Sequence, residues 1–199
     1  MLFYNKRIKK DIGLKIKKRY YVLLILGMLL LGNLVACNKN NESQDQHQQF
    51  IHQLMPEAQQ LYTTYHIFPS ITLAQAILES NWGTSTLATK YHNLFGVKGN
   101  SRNAKLMTTK EYVNGQWQTI KDYFRIYPSF QDAMKEHALL FVNGTSWNKN
   151  QYQDVLQANN YRAAAEALLK DGYATDPTYP KKLIQIIQKY HLNQYDKSN

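Results

Sequence analysis

The residue best placed to do chemistry is Glu79, which follows an apolar run with helical spacing and precedes an aromatic–glycine pair, Trp82-Gly83. Ser70 is a suitable N-cap, so the segment from Ile71 onward predicts a buried helix with Glu79 in its last turn. The negative end of the helix dipole and the apolar neighbours both favour the protonated carboxyl group. A carboxylic acid that keeps its proton near neutral pH can act as a general acid.

The residues after this helix predict a loop that lies against a ligand, because Asn93–Gly99 contains two glycines and an aromatic residue. The whole run ITLAQAILESNWGTSTLATKYHNLFGVKG resembles the signature of the bacterial peptidoglycan N-acetylglucosaminidases, glycoside hydrolase family 73. A Tyr-Ala-Thr-Asp segment at residues 173–176 follows in the family's order, so the resemblance covers about Ile51 to Leu192. It implies a lysozyme-like fold and an enzyme that hydrolyses the β-1,4 bond between N-acetylglucosamine and N-acetylmuramic acid.

Cleavage of a glycosidic bond also needs a group that stabilises the cationic sugar or activates water on its other face. Glu111 is our candidate, because the resemblance places an acidic residue shortly before a Tyr-x-Asn-Gly turn, here in TKEYVNG. Asp122, on the second half of the same predicted hairpin, is the fallback. The 2-acetamido group of the substrate is an alternative nucleophile, in which case Glu111 would orient it.

The resemblance further implies that Tyr173 lies beside the catalytic glutamate and helps to hold the reacting sugar. Asp176 is expected to cap the following helix instead. Aromatic rings can stack on the apolar faces of sugars, and polar side chains can meet their hydroxyl and amide groups. The candidate substrate-binding residues are Trp82, Tyr91, Asn93, Phe95 and Lys98.

We expect neither a cofactor nor a metal ion, because the six histidines show no HExxH or comparable spacing. Two alternative functions remain open. A muramidase or a lytic transglycosylase would use the same fold and the same acid. A non-catalytic lipoprotein that only binds glycan is disfavoured by the presence of both Glu79 and Glu111, which such a protein does not need.

The N-terminus has the pattern of an export signal, a basic segment followed by the apolar run Tyr20–Ala36. Leu34-Val35-Ala36-Cys37 resembles the bacterial lipobox, so we predict a lipoprotein signal peptide at residues 1–36 and lipidation of Cys37. This lipid would anchor the protein to the outer face of the cell membrane. An uncleaved transmembrane anchor is the alternative, since the apolar run is near the lower limit of about 17 residues.

The formal net charge of +10 does not indicate a nucleic-acid-binding protein. Residues 1–36 hold eight basic residues and one acidic residue, which leaves a balance of only +3 for the remainder. No groove-reading motif is visible either. We therefore expect the partners to be peptidoglycan glycan strands and, through the lipid, the membrane, with the protein itself a monomer.

The elements that must position these residues form an α+β domain that is mainly α-helical, with one small β-hairpin lobe. Residues 37–49 comprise Cys37 and a flexible tether without aliphatic or aromatic side chains, and residues 50–195 form the glucosaminidase domain. Asn114-Gly115 predicts a two-residue turn that places Glu111 opposite Gln118. The predicted helices include one from Phe50 to Tyr65 with Pro56 in its first turn or at a kink, one capped by Ser129 with Asp132, one near Tyr152–Gln157, one at Tyr161–Lys170 and one opened by Pro180.

Overall fold

The computed structural model describes residues 42–100, 102–113 and 116–197. The predicted signal peptide, Cys37 and the turn residues Asn114-Gly115 lie outside this part of the chain. Within it, no helix is long and apolar enough to cross a membrane. Residues 42–49 are helical, so the prediction of a flexible tether is wrong for them. Glu and Gln are good helix formers, and a helix that is already nucleated by packing extends into such residues readily.

Residues Gln49–Asn199 form one compact unit. Helices surround a central helix, and a two-stranded antiparallel ribbon lies between the third and fourth helices in the chain. The elements are α1 (residues 42–65), α2 (Pro69–Ser80), α3 (Thr86–Tyr91), β1 (Ala104–Val113), β2 (Gln116–Arg125), α4 (Phe130–Asn143), α5 (Gln153–Leu156), α6 (Tyr161–Lys170), α7 (Tyr179–Lys189) and a final 3₁₀ helix (Leu192–Asp196).

Helix α2 is the centre of the core. Every residue of this helix except Leu78 and Glu79 is buried. A helix that is enclosed on all faces belongs to the interior of a domain rather than to its surface. Large side chains from the other helices complete the core, among them Met134, Leu168 and Leu183, which are all fully buried.

The beginning of α2 differs from the prediction. Phe68 is the N-cap and Pro69 opens the helix, so Ser70 lies inside the first turn. Ser70 donates its backbone N–H to Asp196 Oδ1 (2.9 Å) and its hydroxyl to Oδ2 (2.7 Å). A carboxylate 126 residues away therefore accepts a backbone N–H that has no partner within the helix, and its negative charge complements the partial positive charge of the helix N-terminus.

The hairpin has the predicted register, with Val113 opposite Gln116 and Glu111 opposite Gln118. From the turn, the pairing extends as far as Ala104 and Arg125. Asp122 pairs with Met107, so alternation along the strand places Asp122 and the position of Glu111 on the same face of the ribbon. The pair Met107–Asp122 and the pair Glu111–Gln118 are four residues apart along the strands, which puts the position of Glu111 roughly 14 Å farther toward the ribbon tip.

Other local predictions are confirmed. The Ser129 hydroxyl accepts the N–H of Asp132 and donates to Asp132 Oδ2 (2.6 Å), which is the predicted cap of α4.

Pro56 is not in a first turn, because α1 begins at residue 42 and continues through it. The sequence did not predict α3 or the final 3₁₀ helix, which are only six and five residues long.

Candidate active site

Glu79 occupies the last turn of α2, as predicted. The helix ends in a tight turn in which Asn81, Trp82 and Gly83 all have positive φ angles, of 49°, 61° and 71°. The Ser80 hydroxyl accepts the Gly83 N–H (2.7 Å) and donates to Ala76 O (2.5 Å). A Cβ atom at residue 83 would lie 2.5 Å from the ring of Phe50, so the turn requires glycine.

Glu79 lines a cleft of about 590 Å³ at the end of α2. The loop after α3, helix α4 and the segment between α6 and α7 form its other walls. The residues around Glu79 that can meet a ligand or tune its charge are Phe95, Lys98, His137, Tyr173, Asp176 and Tyr179. Three of the residues predicted from the sequence, Phe95, Lys98 and Tyr173, therefore share one cleft with the predicted acid.

The Glu79 carboxyl group is accessible to solvent through the open side of this cleft. Its Oε1 accepts a hydrogen bond of 2.9 Å from the hydroxyl of Tyr179, the first residue of α7. Burial against the cleft walls raises the pKa of Glu79 above its usual value, while the Tyr179 hydrogen bond and the charge of Lys182 act in the opposite direction. The environment therefore favours the acid form, although the side chain is less sheltered than the apolar sequence around it indicated.

Tyr173 is held by His137. The Tyr173 hydroxyl lies 3.0 Å from His137 Nε2, and the His137 ring stacks on Phe95 with centroids 3.9 Å apart. His137 is 3% exposed, and burial lowers its pKa to about 3, so its imidazole is neutral. Burial also raises the pKa of Tyr173, which keeps its hydroxyl protonated. The cleft thus presents a neutral phenol close to the carboxyl group of Glu79.

Phe95 differs from the exposed aromatic that the loop composition indicated. It is 7% exposed and packs against His137, so only its edge contributes to the cleft wall. An aromatic residue in a glycine-containing loop is compatible with both an exposed and a packed ring, and the partner that decides between them here, His137, lies on α4.

Three predicted substrate-binding residues do not line this cleft. Trp82 packs edge-on against Phe50 and Tyr190, with centroids 6.2 and 4.6 Å apart. Tyr91 is half-buried, and its backbone carbonyl accepts the N–H of Tyr127 (3.0 Å). Both residues connect structural elements, which is a sufficient reason for their presence in the sequence.

Asn93 is 1% exposed, and its amide is used inside the protein. Its Oδ1 accepts the N–H of Val97 (3.0 Å), and its Nδ2 donates to Val97 O (2.9 Å) and Arg125 O (3.0 Å). The expectation that this amide meets the glycan therefore does not fit the geometry. Asn93 instead fastens the loop that carries Phe95 and Lys98 to the base of the ribbon.

Asp122 and the position of Glu111, the two candidate second acids, share one face of the ribbon. Asp122 Oδ2 lies 2.7 Å from Lys98 Nζ, and this hydrogen bond from Lys98 lowers the pKa of Asp122. The backbone of Glu111 is part of β1, but its side chain lies outside the described residues. Asp176 does not cap α7, whose N-cap is Thr178; its Oδ1 accepts the N–H (2.8 Å) and the hydroxyl (2.7 Å) of Thr178 and so stabilises the turn that leads into this helix.

Sequence reasoning missed Tyr179, His137 and Gln75 as site residues. Tyr179 hydrogen-bonds Glu79, and His137 hydrogen-bonds Tyr173. Gln75 donates to the Tyr179 hydroxyl (3.1 Å). Gln75 is a polar residue in an apolar helix, whereas His137 and Tyr179 belong to helices that also contain charged residues and so did not stand out. No group of three His, Cys, Asp or Glu side chains within the described residues is arranged to hold a metal ion.

Residues 55–192 match the family model for mannosyl-glycoprotein endo-β-N-acetylglucosaminidase. The chain belongs to this glucosaminidase family. It is 47% identical to the exo-glucosaminidase LytG of Bacillus subtilis over 98% of this chain and 71% of that protein. It is also 38% identical to a probable N-acetylmuramidase of Lactococcus lactis, over 74% of this chain and 34% of that protein.

Solved structures agree with this assignment. The catalytic domain of the autolysin Auto from Listeria monocytogenes is 38% identical and aligns with a TM-score of 0.71, over 76% of this chain and 88% of that one. The predicted fold class is thereby confirmed: a lysozyme-like, mainly helical domain with one small β-ribbon. This glucosaminidase-family protein is a glycoside hydrolase.

The role of Asn93 leads to a first prediction. Asn93→Ala should lower the free energy of unfolding by about 1–3 kcal/mol, because it removes the hydrogen-bond partner of two partly buried backbone groups, the N–H of Val97 and the carbonyl of Arg125. Urea denaturation followed by circular dichroism measures this change. Asn100→Ala, at an exposed position of the same connection, is the matched control and should cost less than about 0.5 kcal/mol. Unchanged stability combined with a raised KM would instead support contact with the glycan.

Proposed function

We propose that this protein is a peptidoglycan hydrolase that cleaves the β-1,4 bond between N-acetylglucosamine and N-acetylmuramic acid, with N-acetylglucosamine at the new reducing end. Family membership supports a glucosaminidase, and relatives described as autolysin or peptidoglycan hydrolase support the polymer. One geometric observation supports the chemistry most directly. A carboxyl group with a raised pKa lies in a cleft with two tyrosines beside it.

In this proposal Glu79 is the general acid. Its protonated carboxyl group donates to the glycosidic oxygen as the bond to the anomeric carbon breaks, and the leaving sugar departs as a neutral alcohol. Tyr173, a neutral phenol that His137 holds in place, contacts the sugar that becomes cationic. Activity should therefore fall as the pH rises through the pKa of Glu79, and this loss should lie above the pH range of an ordinary glutamate.

Glu111 is the proposed second carboxylate, either as the base that activates water or as the group that orients the 2-acetamido group of the substrate. Asp122 is less suited to be a base, because Lys98 pairs with it and lowers its pKa. A proton acceptor with a lowered pKa is a weaker base.

The alternative function is a muramidase or a lytic transglycosylase, which one relative's description as a probable N-acetylmuramidase favours. The family description names an endo-acting enzyme, whereas the Bacillus subtilis relative is named as an exo-acting one. Mass spectrometry of digested, purified peptidoglycan distinguishes these activities. Glucosamine at the reducing ends supports our proposal, muramic acid would identify a muramidase, and anhydromuramic acid would identify a transglycosylase. Release of single sugars indicates exo-action, and shorter chains indicate endo-action.

The role of Glu79 is tested by Glu79→Gln, which keeps the shape of the side chain but has no proton to donate. We expect kcat to fall by about 10²- to 10⁴-fold with the fold intact, because a positioned general acid contributes this much. The release of new reducing ends measures the rate. Glu166→Gln, at an exposed position of α6, is the control and should retain full activity. Undiminished lysis by Glu79→Gln would refute the assignment.

The choice between the two ribbon carboxylates is tested by Glu111→Gln and Asp122→Asn. We expect Glu111→Gln to reduce kcat by about 10²-fold or more, and Asp122→Asn to reduce it by less than about tenfold. Both rates are measured with soluble peptidoglycan fragments at saturating concentration. The reverse order of the two effects would transfer the role to Asp122.

We further propose that the protein is a lipoprotein, anchored through Cys37 on the outer face of the cell membrane. The basic and apolar pattern of residues 1–36 and the segment before Cys37 support this. Cys37→Ala should release or mislocalise the protein, and the specific activity of the purified protein should stay unchanged. Membrane fractionation and the mass of the mature chain are the measurements. Unchanged membrane retention with an unchanged mature mass would contradict lipidation.

A further inference from the structure

A chain of hydrogen bonds runs from the interior of the core to the catalytic carboxyl group. Gln75 lies one helical turn before Glu79 on α2 and is 0% exposed. Its Nε2 donates to the Tyr179 hydroxyl oxygen over 3.1 Å. The Tyr179 hydroxyl in turn donates to Glu79 Oε1 over 2.9 Å. Two residues on α2 are thus linked through a side chain of α7.

The direction of these bonds follows from the donors available. An amide NH₂ group can only donate, so the Tyr179 oxygen is the acceptor of the bond from Gln75. A phenol has a single proton, and the 2.9 Å distance directs that proton to Glu79 Oε1 rather than to Tyr173, whose hydroxyl also neighbours Tyr179. An oxygen that accepts this bond faces Tyr179 and not the substrate. The acidic proton of Glu79 must then reside on Oε2.

We propose that Gln75 is a positioning residue of this enzyme. Gln75 fixes the direction of the Tyr179 hydroxyl, and this leaves Glu79 Oε2 as the oxygen that delivers the proton to the leaving group. This inference rests on the proposed role of Glu79 as the general acid. Gln75 acts entirely through Tyr179, because it lies within the core and does not line the cleft.

The energetic cost of Gln75 gives independent support. Its Oε1 is buried and accepts no hydrogen bond from the described residues. Burying an amide oxygen without a partner destabilises a fold, and an apolar side chain of similar size would pack there without this penalty. A penalty of this kind at the centre of the core is typical of a residue that serves the site rather than stability.

Other charged and titratable groups face the cleft and remain in place when Gln75 is replaced. Lys182 of α7 acts on Glu79 through its charge and pairs with Asp176, whereas Lys98 pairs with Asp122 on the ribbon. His137 of α4 is neutral, and Tyr173 keeps its proton. Tyr179 is the residue that hydrogen-bonds Glu79 directly, so changes at Gln75 should reach the carboxyl group through that bond.

The test compares Gln75→Met, Tyr179→Phe and the double variant in the full-length chain. The pH dependence of kcat and KM is measured with soluble peptidoglycan fragments. For Gln75→Met we expect kcat to fall about tenfold, which is part of the contribution of a positioned acid, with KM unchanged. The basic limb of the pH profile should move to higher pH, because the released Tyr179 proton stabilises the Glu79 carboxylate less well. Tyr179→Phe should produce the same changes with larger size.

The double variant decides between positioning and packing. If Gln75 acts only through Tyr179, adding Gln75→Met to Tyr179→Phe should change neither kcat nor the pH profile further. Thr72→Val is the matched control: Thr72 is a buried polar residue on the same helix, and its hydroxyl bonds Phe68 O (3.5 Å) within its own turn. This control should keep the kinetics of the unmodified protein.

Thermal unfolding separates folding defects from the proposed effect. Gln75→Met should melt at the same temperature as the unmodified protein or higher, and Gln75→Leu provides a second apolar variant if the methionine packs badly. Additive losses in the double variant, or unmodified kinetics in both apolar variants, would overturn the inference. An active Glu79→Gln variant would refute the proposed function itself. An inactive Glu79→Gln variant, together with unmodified kinetics for Gln75→Met, would refute only the role of Gln75.

Discussion

The candidate active site depends on one constraint: the carboxyl group that we propose as the general acid is carried by a helix that the domain encloses on almost every side. Moving Glu79 would require moving α2 through the core, and a close-packed core resists such displacement. The turn after the helix adds to this, because Gly83 lies against the ring of Phe50 and the two residues before it also have positive φ angles. Such strain persists only where the surrounding structure holds it in place. The acid is therefore fixed before substrate arrives, as a proton donor must be.

The chemistry of the cleft is a balance between burial and hydrogen bonding. Burial favours the protonated form of Glu79, whereas Tyr179 and Lys182 favour the carboxylate. A general acid needs both tendencies, because it must hold its proton in the free enzyme and release it during bond cleavage. The neighbouring groups do not compete for that proton, since His137 stays neutral and Tyr173 stays protonated. The protein thus sets the acid strength of Glu79 through α7, while the charged side chains at the cleft are held in ion pairs, Lys98 with Asp122 and Lys182 with Asp176.

Local signals in the sequence predicted the local features of this structure. The helix that ends at Glu79, the cap at Ser129 and the hairpin register each follow from residues within a few positions of one another. The failures involve partners that are far apart in the chain. Ser70 is hydrogen-bonded to Asp196, and Gln75 is hydrogen-bonded to Tyr179, which lies 104 residues away in the chain. The loop asparagine, Asn93, was misassigned because a polar residue at the start of a glycine-containing loop gives the same sequence pattern whether its amide faces a ligand or the protein.

The two proposed carboxylates are held in very different ways, and this difference bears on mechanism. Glu79 is carried by a core helix, whereas the position of Glu111 lies far out on a two-stranded ribbon, a structure that is only marginally stable by itself. The base of the ribbon is fastened to the loop after α3 by the amide of Asn93, by the bridge between Lys98 and Phe124 and by the ion pair between Lys98 and Asp122. The separation of the two carboxyl groups decides between activation of water and direct contact with the sugar. With Glu111 as the proposed second carboxylate, that separation is set by the ribbon and its attachment, because the backbone of α2 is held in the core. In this proposal, the stereochemical outcome depends on the contacts of residues 93–98 with β2 as much as on the carboxylates themselves.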